Sequence, residues 1–213
     1  MLDLRRILHT IPEGICTGIN ILSISALLFF LLIGVFVVDA DLAMQKKTEV
    51  KMLLELSNHH ATFAINPVLK TEGVIDLLEK EALDRFDRRM LENGGYRREG
   101  NKYLPSGHSV TTDSLSFVRH YIDFVSWRND HQLFLRFNGS DFSLDRVVTG
   151  ARRPAGGLLQ ITVMTEKGEE LRLAPKTMVG PSHIVVAYVN ERPFVPVLPA
   201  HAFPVVSVEE VKW

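Results

Sequence analysis

A metal or nucleophilic site in this chain would have to be built from eight histidines and one cysteine. His59 and His60 are neighbours, so on a helix their side chains diverge by about 100°. No two histidines stand at the H-x-x-x-H spacing that places a zinc-binding pair on one helix face. His9, His108, His120, His131, His183 and His201 are scattered along the chain. Cys16, being alone, excludes an intramolecular disulfide and a cysteine metal site. Ser182-His183 and Asp113-Ser114 supply residue types found in hydrolytic triads, but such types are common, and no G-x-S-x-G elbow, Walker signature or Gly-rich phosphate loop accompanies them. Ala155-Gly156-Gly157 follows Pro154 and precedes an apolar run, which makes it a turn. Asn138-Gly139-Ser140 fits an N-glycosylation acceptor and equally a hairpin turn. The residues therefore predict no catalytic group, no cofactor and no metal, and a chain that is not an enzyme. A rival reading, an anchored binding or enzyme domain, requires two or more of His120, His131, Asp141 and His183 to converge in a pocket.

The element that would carry any function is the uncharged run Gly14–Val38. Twenty-five helical residues rise about 37 Å, enough to cross a hydrocarbon core of about 30 Å with some tilt. Its apolar residues Ile24, Leu27, Leu28, Phe29, Phe30, Leu31, Leu32, Ile33, Val35, Phe36, Val37 and Val38 are expected to form a membrane or assembly helix. Asn20, Ser23, Ser25 and Gly34 are small or mildly polar interruptions suited to helix packing. Arg5 and Arg6 before the run, against mixed Asp39, Asp41, Lys46 and Lys47 after it, favour an inside amino terminus and an extracytoplasmic bulk. A cleavable signal ending near Val38-Asp39-Ala40 is the competing reading, but the run exceeds the usual signal length. Net charge is −1, so no basic field exists to hold nucleic acid. The expected partners are a lipid bilayer and further protein.

Helical composition persists past Val38, without Gly or Pro, until Asn66-Pro67. The spacing of Leu42, Leu53, Leu56 and Phe63 predicts a packing face on this amphipathic continuation, for a head domain or a neighbouring copy. A second helix is expected over 71–93, with Thr71 as its cap, Val74, Ile75, Leu78, Ala82, Phe86 and Met90 on one face, and Gly94-Gly95 as its stop. Its charged residues, Glu79 to Arg89, have mixed signs and read as a solvated face.

From Tyr96 onward short apolar or alternating runs alternate with turn residues. Tyr96–Arg98 and Lys102–Leu104 flank Glu99-Gly100-Asn101; Phe117–Trp127 and Gln132–Phe137 flank Arg128-Asn129-Asp130; Asn138-Gly139 leads to Phe142 and Leu144. Leu158–Thr165 pairs with Glu169–Leu173 across Glu166-Lys167-Gly168, Ile184–Val189 is a buried strand, and Val205–Val211 alternates. The expected fold is α+β: a long N-terminal helix, a shorter one, and a mostly antiparallel sheet of six to eight strands. The organisation is a cytosolic lead (1–13), a transmembrane helix (14–38), its amphipathic continuation (39–66) and an extracytoplasmic head (67–213).

Gly18-Ile19-Asn20 before the apolar run, Val37-Val38-Asp39 after it, and a polar helix with Lys47, Leu53, Leu54 and the small-residue end Ala61-Thr62-Phe63-Ala64 resemble the opening of TadE/TadG-like proteins of tight-adherence pilus systems, and the layout as a whole that of pilin-like subunits. The resemblance spans about residues 14 to 65. It implies a structural subunit, anchored in the cytoplasmic membrane and either retained there or assembled into an extracellular filament with copies of itself or other pilus and secretion components. Prepilins of this kind commonly carry Glu five residues after the processing Gly; here Gly18 is followed by Ile19-Asn20-Ile21-Leu22-Ser23.

Overall fold

A computed structural model describes residues 13–193, 195, 196, 198 and 200–211, with side chains from Asn20 onward. The lead assigned to residues 1–13 lies outside the described residues apart from Glu13, as does the side chain of Cys16. Among the described residues, three helices, α1 (Glu13–Ala61), α2 (Pro67–Thr71) and α3 (Glu79–Gly94), precede ten strands. These are β1 (Tyr96–Glu99), β2 (Lys102–Pro105), β3 (Leu115–Ile122), β4 (Asn129–Phe137), β5 (Phe142–Arg152), β6 (Leu158–Met164), β7 (Glu170–Arg172), β8 (Lys176–Thr177), β9 (Ser182–Glu191) and β10 (His201–Glu210). The class is α+β, as the sequence predicts. Among the strands, β8 has no counterpart in the expected runs, since its two residues carry too little pattern to register. The chain forms two units that divide after Leu42.

In the first unit the run from Asn20 is helical throughout. Gly34, the only glycine among its described side chains, has nothing within 4 Å of where a Cβ would stand.

In the second unit α1 ends at Ala61, and Asn66 starts a new helix instead of prolonging the old one. Its side chain accepts from the Val68 and Leu69 amides (3.1 and 3.4 Å), and Pro67 sits at the first helical position, where its missing N–H costs nothing. That helix stops within five residues. Gly73 turns left-handed at φ +77°, and the chain then runs extended, with Ile65 bridging Leu77. The second long helix therefore begins at Glu79 and not at Thr71. Val74, Ile75 and Leu78 fit a helical spacing, but Ile75 and Leu77 are the buried pair, which is the period of an extended segment. From Ala82 the helical reading holds: Ala82, Phe86, Met90 and Gly94 face inward, and Gly95, left-handed at φ +67°, caps the end through its N–H to Leu91.

The strands make two sheets. The first, in the order β1-β2-β3-β9-β10, is wholly antiparallel. The second, β5-β4-β6-β7 with β8 also on β6, contains one parallel pair, β4 with β6. The hairpins expected at Gly100, Asn138-Gly139 and Lys167-Gly168 form in register, Glu99 facing Lys102, Phe137 facing Phe142 and Met164 facing Glu170. Phe117–Trp127 is not one strand: β3 ends at Ile122, and β4 joins the other sheet. Pro204 lies within β10, an edge strand that can spare an amide.

Strand β9 shows why the first sheet lies in the middle of this unit. Val185, Ala187 and Val189 pack with Leu53, Leu54, Phe86 and Met90 of the helices, while Ile184, Val186 and Tyr188 pack with Leu133, Leu135 and Phe137 of the second sheet. Alternation along one strand thus serves two cores, and a strand buried on both faces reads as a continuous apolar run. The crossover into β6 depends on glycine: a Cβ at Gly157 would lie 1.7 Å from the Asn129 carbonyl oxygen, and one at Gly156 1.8 Å from that of Met178.

Candidate functional site

The apolar stretch predicted as a membrane or assembly helix is uncovered within the chain. Its large side chains from Ile21 to Val38 are between 41% and 72% exposed, apart from half-buried Val35. Mean hydropathy peaks at 3.0 over an 18-residue window, so this helix is long and apolar enough to cross a membrane. Each such side chain left in water forgoes roughly 1.5–3 kcal/mol of burial, which makes bilayer or protein cover a physical requirement.

The packing face of α1 in the second unit differs from the expected one. Ala43, Val50, Leu53, Leu54, Ser57, Asn58 and Ala61 are the buried residues of this segment. Of the predicted set only Leu53 is buried; Leu56 and Phe63 are 40% and 42% exposed, and Leu42, in the first unit, is exposed as well. The expectation followed the largest apolar side chains. The fold instead buries Ser57 and Asn58 beside Val50, Leu53 and Leu54; hydrogen bonds fix Asn58, while Ser57 Oγ has no partner among the described residues. Asn58 Nδ2 donates to the His183 carbonyl (3.0 Å) and to Ser207 Oγ (2.9 Å), and Asn58 Oδ1 faces His183 Nδ1 at 2.6 Å. Because both amide hydrogens are committed, Oδ1 must accept, so His183 carries its proton on Nδ1. Burial, with the nearby Arg119 charge and His120, pushes the His183 pKa down to about 4, so the ring is neutral. Lys46 forms an ion pair with buried Glu191 on β9.

Of the four residues from which a pocket reading needs at least two, His120 and His183 line one groove, while Asp141 lies apart, exposed and paired with Lys102 at 3.2 Å. His131 is buried, with Nε2 donating to the Ser126 carbonyl (3.0 Å) and Nδ1 without a partner. Burial, and then the charge of His131, lowers the His120 pKa. His183 lies on β9 directly across from Tyr121. No three His, Cys, Asp or Glu side chains among the described residues are placed to hold a metal ion. Ser182 Oγ donates to the Gly180 carbonyl, and Asp113 pairs with Arg192, so neither suggested triad assembles. His59 pairs with Glu209. The charged face of α3 is solvated and laced by Glu81–Arg85 and Arg89–Glu92 pairs.

A groove of about 630 Å³ opens where the start of α3 meets the first sheet. Leu77, Glu79, Lys80 and Leu83 form one wall, and Arg119, His120 and Tyr121 of β3 with His183 of β9 form the other. Tyr121 donates to Asp76 (2.8 Å); burial, and next that bond, raise its pKa and keep the phenol protonated. Asp87 accepts from Arg98 (3.1 Å) and from the Tyr103 hydroxyl, and lies 3.7 Å from Arg119.

Sequence reasoning missed Asn58, Ser207 and Glu191 as organising residues. The available signal was local: Ser57-Asn58 interrupts the stripe Val50, Leu54, Ala61 at inward positions. A polar pair there has to be hydrogen-bonded or be costly.

Comparison with protein-family models, with characterised proteins and with solved structures finds no match.

Proposed function

We propose that the chain is a membrane-anchored structural subunit of the pilin-like, TadE/TadG-like kind, with its amino terminus in the cytoplasm and its second unit outside, which assembles through α1. One observation carries the reading: α1 is apolar and exposed on every face from Ile21 to Val38, while its outer segment is bonded into an antiparallel sheet by a buried polar junction. The outward face of that segment also keeps Met52 and Leu56 exposed, on the side opposite Val50, Leu54 and Ala61, and Phe63, just past the helix end, is exposed as well. A helix with one face committed to its own head and apolar residues on the other is suited to stacking against copies of itself or other pilus and secretion components.

The experiment is to shear surface material from cells producing the chain and identify its proteins by mass spectrometry. Recovery in sheared filaments supports assembly; recovery only in detergent-extracted membrane restricts the role to an anchored protein. Amino-terminal sequencing of the mature chain separates an intact anchor beginning at Met1 from processing before Ile15 or Ile19 and from secretion with a start at Asp41.

A further inference from the structure

The groove beside His183 has features that a solvated crevice does not need. His183 is held by Asn58 through Nδ1, which leaves Nε2 as a hydrogen-bond acceptor with no protein donor among the described residues. A nearly buried imidazole with a fixed tautomer is a directional acceptor set into the wall. Cations stand around it. Arg119 donates to the Tyr103 hydroxyl (3.1 Å) and shares the single Asp87 carboxylate with Arg98, so two guanidiniums face one acid. Lys80, on the facing wall, makes no ion pair among the described residues. Leu77 and Leu83 supply apolar surface, and Glu79 supplies a further acceptor.

These groups, lining one groove, ask for opposite things. Arg119 and Lys80 call for an anionic acceptor, while neutral His183 calls for a donor. A fully deprotonated anion satisfies the first and sets lone pair against lone pair at the second. We propose that this groove binds a small aliphatic carboxylic acid bearing a hydroxyl or ammonium group next to the carboxylate. The carboxylate meets Arg119 and Lys80, the neighbouring donor reaches His183 Nε2, and the aliphatic part lies on Leu77 and Leu83. An ammonium group would gain Glu79 as well. The volume, about 630 Å³, lies within the range of small-molecule sites. This site is independent of assembly through α1.

The test uses the full chain in detergent micelles and four matched probes in titration calorimetry. These are 2-hydroxy-4-methylpentanoate, leucine, 4-methylpentanoate, which lacks the donor, and 2-hydroxy-4-methylpentanamide, which lacks the charge. Saturable binding of the hydroxy acid or leucine is expected, with the donor-less acid and the uncharged amide each weaker by about tenfold or more. Which of the first two binds more tightly identifies the donor. In the ¹⁵N-histidine spectrum the Nε2 resonance of His183 moves on binding of the preferred probe, and Lys80→Gln, at the groove wall and outside both cores, weakens binding without changing the melting temperature. Absence of saturable binding for all four probes, or equal affinity for the acids with and without the donor, overturns the proposal.

Discussion

From Ile21 to Val38, α1 is apolar all round and buries none of those side chains within the chain. From Ala43 to Ala61 it buries a narrow face that carries the polar Ser57 and Asn58 beside Leu53 and Leu54. The difference separates two ways of satisfying a helix. A lipid-facing segment gains from every apolar atom and needs no fixed rotation, because hydrocarbon is isotropic around it. A segment packed on a sheet has to be held at one rotation and one height. Apolar contacts are non-directional and do this poorly. Asn58, which reaches β9 and β10 through three hydrogen-bonding contacts, fixes both.

The largest break in that comparison comes from charging the first segment. Leu28→Arg combined with Leu32→Arg places two guanidiniums mid-run, each costing about 2.5–3.5 kcal/mol at the centre of a membrane-spanning helix. The expected outcome is loss of the chain from the carbonate-resistant membrane fraction, while the near-ultraviolet circular dichroism of the second unit is retained. In the packed segment, Asn58→Ala leaves His183 Nδ1 and Ser207 Oγ buried without their partner. A destabilisation of about 2–4 kcal/mol follows, read from urea unfolding in micelles followed by Trp fluorescence. Its companion Leu56→Ala, at an exposed position two residues away, should cost under about 0.5 kcal/mol.

These magnitudes also show what was legible in advance. The apolar run was readable because its signal is composition summed over a long stretch, and the hairpins at Gly100 and Asn138-Gly139 because a turn demands particular residues locally. The α+β class follows from those same features. The start of α3 was not readable: Val74, Ile75 and Leu78 satisfy a helical spacing, and only the left-handed Gly73 together with the bridge from Ile65 to Leu77 decides against it. The packing face failed for a related reason. Leu56 and Phe63 are the larger apolar side chains, but burial went to Asn58 because its partners lie more than 100 residues away, on β9 and β10, a pairing that no local pattern encodes. The groove shares that origin, since Lys80, Arg119 and His183 meet only after the sheet forms.

A smaller and more discriminating effect is expected from pH. The His183 pKa falls from 6.5 when unfolded to about 4 in the fold, so between those values the unfolded chain binds the extra proton. Stability is complete above about pH 6.5 and declines as pH falls toward 4, by at most about 1.4 kcal/mol per pH unit from this group. Arg119 and His120 both act to hold the pKa down. Urea midpoints measured across that window should slope in the wild-type chain, and His183→Gln should flatten the slope. A slope unchanged in His183→Gln would place the proton uptake elsewhere.

The smallest effect on the fold is also the one that tests whether the outward face of the packed segment belongs with the apolar run as an assembly surface. Leu56→Ser and Phe63→Ser replace exposed side chains whose loss leaves no internal cavity, so the urea midpoint should move by no more than about 0.5 kcal/mol equivalent. If that face is covered in the assembled state, the same substitutions lower the yield of sheared filament severalfold while the membrane-bound pool is retained. With Cys16→Ser as background, a cysteine at position 56 or 63 should then form disulfide-linked dimers in cells, and one at exposed Lys51 should do so less. Stable folding with unchanged filament yield and no cross-linking preference would assign the outward residues to solvent. Contact between copies would then be left to Ile21–Val38 alone, and the outer segment would serve only to hold the head at a fixed rotation.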